Sequence, residues 1–94
     1  MDNEWVYLLR YDDEVSGMSE TIGVFSTLQK VITVLEKYDI STSDITEKTL
    51  RDYDSLICEV RKPTVIDVDG QSYGFLQDHH LPYQTISIQR RRVY

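Results

Sequence analysis

Asp78-His79-His80 is the stretch whose residue types come closest to chemistry. An imidazole pair beside a carboxylate can bind a metal or shuttle protons. Adjacent side chains in a strand point to opposite faces, so His79 and His80 could share one metal only from a turn. The chain has no other histidine, and carboxylates or Cys58 would have to complete a ligand set. Solvated loop histidines are the simpler reading. His79 and His80 stand as weak metal candidates, with no metal and no cofactor expected.

Arg90-Arg91-Arg92, followed by Val93-Tyr94, is a terminal basic and aromatic cluster. Guanidinium groups can grip phosphates or carboxylates bidentately. The competing reading is that these arginines offset an acidic body or guard an edge strand. Asp12, Asp13 and Glu14 could present carboxylates to a partner or to a hard cation. They lack the alternating ligands and closing glutamate of an EF-hand loop, so a solvated turn is the plainer reading. Arg90, Arg91, Arg92, Tyr94, Asp12, Asp13 and Glu14 are therefore the candidate binding residues. Cys58 is the only cysteine. It falls among apolar neighbours, where cysteine acts as a small hydrophobe rather than a reactive thiolate. There is no G-x-S-x-G and no glycine-rich phosphate loop. No catalytic residue is assigned, and an enzyme is not expected.

Charge narrows the partner class. Residues 1–60 hold 13 acids and 5 bases, whereas residues 61–94 hold 3 acids and 5 bases, and the whole chain carries −6. An acidic surface is repelled by duplex nucleic acid. It suits a partner with a basic surface. Seven tyrosines are many for 94 residues, and tyrosine serves both strands and binding surfaces. A single cysteine permits no internal disulfide, which fits a reducing compartment. No basic n-region follows Met1, and no apolar run reaches the roughly 20 residues of a membrane span. A cytoplasmic protein without membrane contact is expected.

These candidates hang on elements read from periodicity. Glu4 to Tyr11 predicts a strand apolar on both faces, central or doubly covered. Asp12 to Ser19 predicts an acidic loop, and Thr21 to Phe25 a second strand with Gly23 marking a bulge or close approach. Ser26 predicts an N-cap with Gln29 completing a capping box. Leu28, Val31, Ile32 and Leu35 then form one face of a helix over 27–38. A short second helix is expected over 44–53, capped at Asp44. Ser55 to Lys62 reads as a strand with Leu56, Cys58 and Val60 opposite Ile57 and Glu59. Asp69-Gly70 between Thr64–Val68 and Ser72–Gln77 is a hairpin signal, because both positions tolerate positive φ. Tyr83 to Tyr94 is an alternating last strand, with Ile86, Ile88 and Arg90 sharing a face. The sum is one α+β domain over residues 1–94: a mainly antiparallel sheet of about five or six strands with the helices on one face.

Val6-Tyr7-Leu8-Leu9, a polar loop, Ile22-Gly23-Val24-Phe25-Ser26-Thr27 and the amphipathic helix that follows resemble small uncharacterised proteins of bacterial and phage genomes. Those open with a V-Y-hydrophobic strand and carry an I-G-V-[FY]-S-[ST] strand-to-helix junction. The resemblance covers about residues 4–38 and departs at Ile32 and Val34, where the family helix often has alanine. It implies a bacterial or phage origin and no catalytic residue. The expected function is a non-enzymatic protein–protein interaction module, a small acidic inhibitor or adaptor. A homodimer joined through the C-terminal strand is a second form of it. The alternatives are a nucleic-acid-binding protein using the arginine cluster and a small metal-dependent enzyme using His79 and His80.

Overall fold

The computed structural model describes residues 5–58, 60, 62–75 and 84–93. Eight elements follow in chain order: β1 (Trp5–Asp13), β2 (Met18–Phe25), α1 (Leu28–Lys37), α2 (Glu47–Tyr53), β3 (Ser55–Cys58), β4 (Thr64–Val68), β5 (Gln71–Phe75) and β6 (Gln84–Arg92). The class is α+β with antiparallel strands, as expected. The strands form two sheets rather than one: a four-stranded sheet in the order β2-β1-β6-β3 and a separate β4-β5 ribbon.

Alternation decides which face is covered. Tyr7, Leu9 and Tyr11 of β1 sit beside Ile88 and Ile86 of β6, and all five are buried. α1 lays Leu28, Val31 and Leu35 on this face, and α2 adds Leu50. The ribbon contributes Ile66, Tyr73 and Phe75 to the same core. The opposite face is open: Val6 and Leu8 are half-buried, and Val24 is 63% exposed. β1 is therefore central but not doubly covered.

The caps correct the sequence reading by a residue or two. Extended Thr27, not Ser26, caps α1: its side chain accepts from the Lys30 N–H. Ser26 Oγ instead accepts from Lys30 Nζ, so Gln29 closes no capping box. α1 ends with Asp39 at φ 63°, and Ile40 returns its N–H to Leu35 O. That is a Schellman arrangement with an aspartate in the left-handed position. α2 is capped by Thr46 rather than Asp44, in a reciprocal box with Thr49. The β1–β2 turn contains only Glu14 to Gly17, because strand pairing runs out to Asp13 and Met18. The Asp69-Gly70 hairpin is as read, with both residues at positive φ. A register shift in β2 opposite Leu9 and Arg10 is the bulge that Gly23 signalled.

Candidate interaction site

The tyrosines belong mostly to the frame. Tyr7, Tyr11 and Tyr73 are buried and Tyr38 is half-buried. Tyr7 Oη donates to the Glu47 carboxylate at 2.8 Å, tying α2 to the sheet. Burial, and then Glu47 itself, push Tyr7 up to a pKa of about 12. Tyr11 Oη donates to Gly74 O at 2.9 Å, and its ring meets Phe75 edge-on. Tyr73 Oη donates to Glu20 at 3.1 Å, and Tyr38 Oη bonds the Asp67 backbone. Each hydroxyl spans two layers that share no backbone ladder. Among the described tyrosines only Tyr53 is exposed, at 70%.

The arginine cluster is divided by strand alternation. Arg90 lies on the covered face, its guanidinium carbon 3.5 Å from the Trp5 ring centroid. Arg92 reaches the same ring at 5.4 Å. Arg91 points to the open face, where it donates to Gln89 Oε1 at 2.7 Å. Arg90 Nε is buried without a hydrogen-bond partner, and the stacking on Trp5 offsets part of that cost. The three arginines thus do not converge on one anion. β6 lies between β1 and β3, and β3 pairs with its Ile86–Gln89 segment. Tyr94, His79 and His80 lie outside the described residues.

The acidic trio does not converge either. Asp12, on the open face, accepts from Ser19 Oγ, which in turn accepts from Arg10. Asp13 folds the turn, accepting from the N–H groups of Val15 and Ser16. Desolvation works against its charged form, but these bonds prevail and hold its carboxyl below the usual range. Glu14 is exposed in the turn. Among the described residues no three histidine, cysteine or carboxylate groups gather as a metal site.

What the sequence did not single out is the β3 edge. Ser55–Cys58 pairs with β6 on one side and is the last strand of its sheet among the described residues. Ile57, opposite Leu56 and Cys58 as its alternation required, is 76% exposed. Beside the strand runs a cleft of about 300 Å³ lined by Ser41, Ser43, Asp44, Ile45 and Leu56 to Cys58. Ile45 and Cys58 give it a buried apolar floor, and Asp44 is exposed at its rim. Burial pushes the Cys58 thiol up to about 12, which leaves it a hydrophobe in that floor. Asp52, Tyr53 and Asp54, all exposed, lead directly into the strand. Between Ser41 and Cys58 stand four carboxylates and two cations. One of those cations, Lys48, is bonded to Asp52 at 3.1 Å. Exposed apolar side chains with carboxylates nearby are residue types also found at docking surfaces. No family model, curated protein or solved structure matches the chain.

Proposed function

We propose that this chain is a non-enzymatic protein-interaction module, a small acidic inhibitor or adaptor of bacterial or phage origin that docks on a basic protein surface. The observation that carries the reading is the patch at α2 and β3. There Ile57 stands exposed on a cleft that Asp44 also lines, and Tyr53 is exposed between Asp52 and Asp54 where the chain enters the strand. Exposed aromatic and aliphatic side chains are residue types found at interface centres, and carboxylates near them steer a basic partner. The rigid covered face beneath, braced by Tyr7 and Glu47, would present this patch with little ordering cost. The C-terminal arginines support a nucleic-acid reading less well. Arg90 and Arg92 occupy the Trp5 ring, and Arg91 lies on the other face. Native mass spectrometry of the chain purified from its source cells tests the proposal. A heavier species containing a second polypeptide is expected. A clean 11.0 kDa monomer, or a complex with nucleic acid alone, would contradict it.

A further inference from the structure

The geometry points to the outer edge of β3 as a strand-addition site for an extended, basic segment of a partner protein. This rests on the interaction reading above and adds to it the place, the binding mode and the partner's local chemistry. Arg90 N–H donates to Asp54 O at 3.1 Å, which makes residues 54 and 90 a bonded pair. Bonded and non-bonded pairs alternate along an antiparallel ladder. The register Leu56↔Ile88 and Cys58↔Ile86 then spends the backbone groups of Leu56 and Cys58 on β6. The N–H and C=O of Ser55 and Ile57 face outward, along the cleft. An added strand would take these bonds, as extended peptides do at exposed sheet edges.

The cleft defines the occupant. Its floor offers Ile45, Leu56 and Cys58 to apolar side chains, and Ile57 offers a second apolar contact on the open face. Asp44 at the rim and Asp54 at the start of the strand favour lysine or arginine in the incoming segment. A second copy of the chain would bring the same carboxylates against these, so a basic segment is the better complement.

The test uses the whole chain and the synthetic peptide Lys-Val-Lys-Val-Lys-Val-Lys, followed by backbone amide shifts in NMR. Expected are shifts confined to Ser55–Cys58 and 41–45. The variant Ile57→Pro removes one outward N–H without touching the β6 ladder, and should weaken binding about tenfold or more. Alternate N-methylation of the peptide should do the same to the unaltered chain, whether or not the proline variant folds. A Glu-Val counterpart should bind about tenfold more weakly or worse. Absence of Lys-Val binding, shifts elsewhere, or indifference to N-methylation would overturn the assignment. So would self-association that Ile57→Pro abolishes, since the edge would then belong to a second copy. A co-purified protein partner held equally well by Ile57→Pro would also overturn it, while leaving the interaction module standing.

Discussion

The two edges of the four-stranded sheet are built from unlike strands. β2 is eight residues long, polar through Ser19, Glu20 and Thr21, and bulged opposite Leu9 and Arg10. β3 has four residues, no irregularity in its register and an exposed isoleucine. A bulge, a charge and extra twist are the means by which sheets blunt an edge against pairing. β2 has a bulge and a charge, whereas β3 has neither and is blunted only by its shortness. Beside β3 lies a cleft with an apolar floor. The difference shows that the two edges of one sheet can be built differently, with a bulge and a charge on one side and a short, regular strand on the other.

The largest effect that sharpens this comparison concerns what lies beneath β3. Leu50 of α2 is fully buried in the layer that packs on β3 and β6. Leu50→Ala should cost about 2–5 kcal/mol in urea unfolding, because the cavity left behind cannot collapse fully. A loss near zero would mean that β3 is not held from below. The bulge on the other edge comes next. A Cβ at Gly23 would stand 2.6 Å from Phe25 Cε2. Gly23→Ala must therefore move that ring, and a loss of about 1–3 kcal/mol is expected. If the variant is as stable as the parent, the bulge is slack and β2 owes its protection to polarity alone.

Smaller still is the brace shared by α2 and the sheet. Tyr7→Phe removes the hydroxyl bonded to Glu47, which is exposed and can rehydrate, so about 1 kcal/mol should be lost. The change also has a pH signature. Tyr7 rises from its ordinary 10.0 to about 12 in the folded chain. Its contribution is full below pH 10 and is lost as pH climbs through 12, because the unfolded tyrosine gives up its proton first. Cys58, raised from 9.0 to about 12, declines in the same direction. Tyr7→Phe should make the alkaline fall of the melting temperature shallower, and an unchanged slope would remove Tyr7 from that fall. The smallest effect is expected at Ile57. Ile57→Thr should leave stability within about 0.5 kcal/mol, as its side chain is 76% exposed. A larger loss would show that this side chain is part of the fold.

Local patterns were legible in the sequence, and long-range ones were not. The Leu28, Val31, Leu35 stripe and the Asp69-Gly70 turn depend on neighbours within a few residues, and both stand as read. The division of Arg90 and Arg92 from Arg91 followed from alternation alone. The cap shift from Ser26 to Thr27 did not, because either hydroxyl fits the pattern and the strand's end decides between them. The hydroxyl bonds of Tyr7, Tyr11, Tyr38 and Tyr73 join residues 29 to 63 positions apart, which no period encodes. β3 read as a strand from Leu56, Cys58 and Ile57. That it is an edge, and that the chain around Ser41 to Ile45 leaves a cleft beside it, follows from the β2-β1-β6-β3 order.

Amide hydrogen exchange at four consecutive residues tests the open edge most directly. Leu56 and Cys58 should exchange slowly, since their N–H groups are bonded to β6. Ser55 and Ile57 should exchange fast in the same sample. Protection of Ile57 equal to that of Leu56 would show the outer edge of β3 already paired, and would contradict its availability to a partner.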